Sequence, residues 1–142
     1  MNRFMIVVNP DKDTDSTVTN RIQSYLEAHG AACMVRDVFH LEFSDWEALK
    51  KEQFGCVLVL GGDGTLLRMA GETEDIDIPL FGINLGTVGF LTEGEVANIE
   101  EILDRLLTDD FTIEERMMVT GTVTKADGTT YRKSALNDIV IS

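Results

Sequence analysis

Hydrophobic residues along this chain come in two rhythms. Short continuous apolar runs alternate with stretches in which apolar positions recur at helical spacing. Phe4 to Val8 reads as a first buried strand, ending at Asn9-Pro10. After a polar turn, Val18, Ile22, Tyr25, Leu26 and His29 mark one face of a helix, and Gly30 is placed to stop it. Ala31 to Val38 is a second strand candidate, and Ser44-Asp45-Trp46-Glu47 has the spacing of a capping box opening a helix to about Lys51. Cys56 to Leu60 is the unbroken apolar run of a buried parallel strand. Leu66 to Ala70 continues as helix, Pro79 to Ile83 as strand, and Val96, Ile99, Ile102, Leu103 and Leu106 form the stripe of another helix. Strand and helix in alternation predict a parallel sheet covered on both faces. After Phe111 the pattern becomes β-rich: Met117 to Lys125 and Tyr131 to Ile141 read as strands, with Asp127-Gly128 as the turn between them.

Two loops interrupt this pattern where a parallel sheet binds its ligands, at the carboxyl ends of strands. The first, Gly61-Gly62-Asp63-Gly64-Thr65, lies between a strand and a helix. Glycines there permit positive φ and close approach of a ligand, and the helix N-terminus attracts negative charge, which makes a phosphate cradle. It is neither a GxGxxG fingerprint, because Leu67 stands where the third glycine belongs, nor a Walker loop, because no GK[ST] follows. Asp63 departs from a plain anion cradle. A carboxylate there repels bare phosphate, so it should face a hydroxyl or a phosphate-bound Mg²⁺, both of which suit phosphoryl transfer to an alcohol. The competing structural account is a tight turn with Asp63 as helix N-cap. Arg68, one turn into the helix, is either a phosphate contact or a solvated arginine. The second loop runs Asn84-Leu85-Gly86-Thr87-Val88-Gly89-Phe90-Leu91 at the same sheet edge. Phe90 fits a nucleobase or the core, and Asn137-Asp138 fits ribose hydroxyls or a strand end.

Composition narrows the partners. Over 142 residues there are 12 basic and 25 acidic side chains, a net charge of −13. Such a field disfavours nucleic acid and anionic membranes, and forces any nucleotide site to rely on local N–H groups, a few cations and a metal ion. No apolar run approaches the ~20 residues that cross a bilayer. Cys33 and Cys56 lie in apolar runs without CxxC spacing, as expected of reduced, buried thiols in a cytoplasmic protein.

With these residues in view, the chain resembles the N-terminal domain of NAD kinases. The glycine loop alone is shared with diacylglycerol and sphingosine kinases and phosphofructokinases; the second motif, extended through Thr92-Glu93, resembles that of NAD kinases. Phe111-Thr112-Ile113-Glu114-Glu115-Arg116-Met117-Met118 is similar to the strand leading into their second domain. Ala135-Leu136-Asn137-Asp138 resembles their Asn-Glu motif, with Asp for Glu, and Val8 to Asp13 fits their first strand and loop. The resemblance implies a Rossmann-like α/β domain over residues 1–116 and the first strands of a β-rich domain over 117–142. It implies transfer of a phosphoryl group from ATP or polyphosphate, with Mg²⁺ or another divalent cation, to the 2′-hydroxyl of the NAD adenosine ribose. Asp63 would be the general base; Gly61, Gly62, Gly64 and Thr65 would line phosphates, and Arg68 and Asn84 would contact nucleotide. Phe90 would lie against adenine, and Asn137 and Asp138 would bind hydroxyls and amine. No protein residue is expected to be a dedicated metal ligand.

The family's C-terminal domain, with its Thr-Gly-Ser loop and glycine pair, has no counterpart in these residues. The chain on its own is therefore expected to be nearly inactive, and the full-length protein a homodimer or homotetramer. The rival readings are a lipid kinase of the diacylglycerol type, which lacks a basic amphipathic stretch to support it, and a non-catalytic nucleotide-binding domain, against which Asp63 argues.

Overall fold

The computed structural model describes residues 1–85, 94–95, 98–124 and 128–141, with side chains described outside 94–95 and 117–136. In chain order the elements are β1 (Arg3–Val8), α1 (Thr17–Ala28), β2 (Ala32–Asp37), α2 (Phe43–Lys51), β3 (Cys56–Gly61), α3 (Asp63–Glu72) and β4 (Leu80–Asn84). They continue with β5 (Gly94–Glu95), α4 (Ile99–Leu107), β6 (Thr112–Thr124) and β7 (Gly128–Val140). One sheet runs β2-β1-β3-β4-β7-β6, with the short β5 also paired to β4. Pairs β1–β2, β1–β3, β3–β4 and β4–β7 are parallel, and β6–β7 is an antiparallel hairpin.

Alternation within the strands divides the core in two, because successive side chains point to opposite faces. Phe4, Ile6, Leu58, Leu60, Phe81 and Ile83 pack with Ile22 and Leu26 of α1 and with Ile99, Ile102, Leu103 and Leu106 of α4. Met5, Val7, Val57, Val59 and Leu80 pack with Leu49 of α2 and with Leu66, Met69 and Ala70 of α3. The expected parallel sheet covered on both faces is present. Every residue of β3 is buried, which is why its sequence shows no polar alternation. Across α1 and α4, Arg21 makes a bidentate pair with Glu100, its Nε and Nη2 lying 2.7 and 2.6 Å from the two carboxylate oxygens. That guanidinium holds the Glu100 carboxyl below its ordinary range.

Helix ends depart from the expected detail in instructive ways. Gly30 does stop α1, at φ +86°, where a side chain would be strained. The start of α1 is held from a distance. Ser16 makes no side-chain cap, whereas buried Asp13 accepts from the N–H groups of Val18 (3.2 Å) and Thr19 (2.8 Å) and from the Thr19 hydroxyl (2.6 Å). The capping box of α2 exists but begins earlier than Ser44. Glu42 is the N-cap, and Asp45 reaches back to its N–H at 2.9 Å. Asp45 is then in place to accept from Arg36 Nε at 2.7 Å, tying β2 to α2. α3 begins at Asp63, before the expected Leu66, with Gly62 in the N-cap position and not Asp63.

The hairpin starts at Thr112, upstream of the expected Met117, and its second strand returns to the sheet, where Asp138 pairs with Leu80. Asp127 of the expected turn and Val96 lie outside the described residues, and Gly128 is the first residue of β7. Among the described residues no helix is long and apolar enough to cross a membrane.

Candidate functional site

The order of strands fixes where a ligand can sit. From β1 the chain crosses to β2 on one side, and β3 and β4 continue on the other, so β1 and β3 flank the switch point of the sheet. At the carboxyl ends of such strands the connections diverge and leave a crevice. A cleft of about 430 Å³ is present there. It is lined by Asn9 and Lys12 after β1, Val38 and Phe39 after β2, and Gly62, Gly64, Thr65 and Arg68 after β3. Asn9 is anchored by its N–H to the Leu60 carbonyl at 2.9 Å, which draws the β1 loop against β3.

The glycine loop works differently from the sequence-based expectation. Among the described residues Gly30 is the glycine with positive φ, so none of the loop glycines 61, 62 or 64 is needed for a left-handed backbone. Gly61 is required by packing: a Cβ there would lie 2.5 Å from Thr65 Oγ1 and 2.9 Å from its Cβ. Gly62 and Gly64 have nothing within 4 Å of where a Cβ would be. Neither position crowds the first turn of α3, and a helix N-terminus attracts negative charge.

Charge in the cleft opposes the charge of the chain. Lys12 and Arg68 are its two ionisable lining residues, both cationic. Arg68 lies 3.3 Å from Glu72 and its guanidinium sits 5.6 Å from the centre of the Phe39 ring. The β2 turn is fixed by Asp37, which accepts from the Phe39 N–H at 2.8 Å and contacts the His40 ring at 2.9 Å. Burial pushes the Asp37 carboxyl up, but the Phe39 N–H and His40 outweigh it and hold the group below its ordinary value.

Asp63 occupies the first turn of α3, partly buried, and does not line the cleft. On its other flank stands the β4 loop: Asn84 is buried opposite Gly61 in the register, and the Leu85 N–H donates to the Gly61 carbonyl at 2.9 Å. Gly61 to Arg68 and Asn84 are thus brought to one sheet edge, as expected. Phe90 lies outside the described residues.

Asn137 and Asp138 are placed elsewhere. Asp138 pairs with Leu80, at the entry of β4, four register positions from Asn84 and so roughly 13 Å along the strand. Asp138 is fully buried, 2.6 Å from Arg116 Nη2, and Asn137 donates to Asp77 at 3.1 Å. Asn9, Lys12 and Phe39 join the site because the strands they follow are brought beside β3 by the sheet order, which no local sequence pattern signals.

Residues 4–111 match the family described as the ATP-NAD kinase N-terminal domain. The chain belongs to that family. It is 38% identical over 146 residues to an NAD kinase of Lachnoclostridium phytofermentans and 39% identical over 144 to one of Agathobacter rectalis. These alignments cover 100% and 99% of this chain and 51% and 50% of those proteins. The chain thus spans about half the length of the curated relatives it matches. A crystal structure of yeast NADH kinase complexed with NADH superposes with a TM-score of 0.62, at 12% identity, over 94% of this chain and 46% of that one. At that identity the likeness is one of fold.

Proposed function

We propose that this chain carries the nucleotide-binding half of an NAD kinase. A phosphoryl group from ATP or polyphosphate, borne with Mg²⁺ or another divalent cation, passes to the 2′-hydroxyl of the NAD adenosine ribose. The observation that carries the reading is the switch-point cleft. In a chain of net charge −13 it is lined by Lys12, Arg68 and two uncovered glycines at a helix N-terminus. That combination favours an anion with several oxygens.

Gly62, Gly64, Thr65, Lys12 and Arg68 hold the donor phosphates on the β1–β2 side of the loop. The acceptor ribose lies on the other flank, beside Asp63 and Asn84, with Phe90 against its base. The 2′-oxygen attacks the terminal phosphorus, the bond from phosphorus to the leaving phosphate oxygen breaks, and the hydroxyl proton passes to Asp63. Positioning contributes more than basicity in such a loose transition state. The divalent ion belongs to the substrate. Asn137 and Asp138, with partners of their own at the far edge, are assigned to the hairpin junction. Full-length function as a cytoplasmic homodimer or homotetramer goes with the same reading.

Because the chain spans about half the length of its relatives, the 142 residues alone are expected to bind nucleotide with little turnover. Titration calorimetry tests this. ATP·Mg²⁺ should bind, Lys12→Ala and Arg68→Ala should each weaken it by about tenfold, and Asp63→Asn should change it by less than about threefold. Affinity indifferent to both cations would refute the placement of the donor.

A further inference from the structure

The cleft holds one feature that phosphate binding leaves unused. Phe39 keeps 46% of its surface exposed at the cleft wall, although an apolar ring gains by burial. It is held there by its own backbone, through the N–H bond to Asp37 and the return of the His40 N–H to the Asp37 carbonyl at 3.1 Å. Arg68 lies within cation–π range at 5.6 Å, so one residue bridges the phosphate cradle and the ring. A flat apolar surface next to a cation, one helix turn from an anion cradle, matches a ligand with a flat heterocycle at one end and phosphates at the other. Inorganic polyphosphate has no group that could use it.

We infer that Phe39 is a specificity-determining residue that stacks on the base of the phosphoryl donor and makes this cleft prefer a nucleoside triphosphate to inorganic polyphosphate. The inference rests on the proposed donor site and deepens it. Stacking of a base on an aromatic side chain is sequence-tolerant, so ATP and GTP should both benefit.

The test is equilibrium binding of ATP·Mg²⁺, GTP·Mg²⁺ and Mg²⁺-tripolyphosphate to the 142-residue chain and its Phe39→Ala and Phe39→Trp variants. Phe39→Ala should raise the Kd of both nucleotides by about tenfold and leave tripolyphosphate within twofold; Phe39→Trp should restore the nucleotides. An equal loss for nucleotides and tripolyphosphate, or no loss for nucleotides, would overturn the assignment. Lys12→Ala separates the two levels. If it weakens ATP while Phe39→Ala is silent, the donor site stands and the role of Phe39 falls. If ATP does not bind the unaltered chain, both fall.

Discussion

At the carboxyl edge of β3, Gly62 and Gly64 have open space around them and Arg68 is about half exposed. At the opposite edge, where β7 joins β4, Asp138 is fully buried against Arg116 and Asn137 is tied to Asp77. Both regions are short polar sequences next to apolar strands, and either could serve a nucleotide. They differ in how far the protein encloses the polar groups. A buried carboxylate held by a guanidinium has its charge compensated at home, and its removal is felt as stability. Arg68, paired with Glu72 at 3.3 Å but about half exposed, stays within reach of a phosphate at the start of α3.

The largest test of this contrast is Arg116→Met. It removes the cation from a fully buried carboxylate and is expected to lower unfolding free energy by about 3 kcal/mol in urea denaturation. ATP binding by the remaining folded protein should be unchanged. If stability held and nucleotide affinity collapsed instead, the hairpin junction would belong to the site and the comparison would fail. Within the site edge, Gly61→Ala comes next. Its new methyl would meet Thr65 at 2.5 Å. Overpacking of that kind costs about 1–3 kcal/mol, so the thermal midpoint should fall while the cleft keeps its cations.

Much of this was legible in the sequence. Alternating apolar runs and helical stripes gave the parallel sheet and its two helical layers, because burial dictates both periods. The glycine loop and Asn84 were placed at one edge because a strand and a loop adjoin in sequence. What escaped was set by pairing between distant segments. Phe39 and Lys12 enter the cleft only because β1 lies between β2 and β3, an order that no local pattern states. The apolar run beside Asn137-Asp138 says nothing about which residue of β4 it will meet, and the register sets Asp138 opposite Leu80. The capping box begins two residues before Ser44 because Glu42, not a serine, supplies the N-cap.

Asp13 offers a smaller effect that sharpens the site end. Its carboxylate accepts three hydrogen bonds from the start of α1, one residue after Lys12. Asp13→Ala should cost about 1 kcal/mol, as loss of a helix cap does. Because it also frees the loop carrying Lys12, ATP affinity should fall more than stability alone explains. An unchanged Kd would mean that Lys12 is held in the cleft by the Asn9 anchor and not by the cap.

Gly64→Ala is the smallest expected effect on stability and the most discriminating. Gly64 lies in the first turn of α3 with a conformation open to alanine and no atom within 4 Å of the added methyl. Glycine in a helix is destabilising by roughly 0.5–1 kcal/mol relative to alanine. The substitution should therefore raise the thermal midpoint by roughly 2 °C. A methyl at the mouth of the cradle should at the same time keep phosphate oxygens from the helix N–H groups and weaken ATP·Mg²⁺ several-fold. Gain of stability with loss of affinity is what a glycine retained for ligand approach requires. Gain of stability with affinity intact would remove Gly64 from the cradle and leave the anion to Lys12, Arg68 and Gly62.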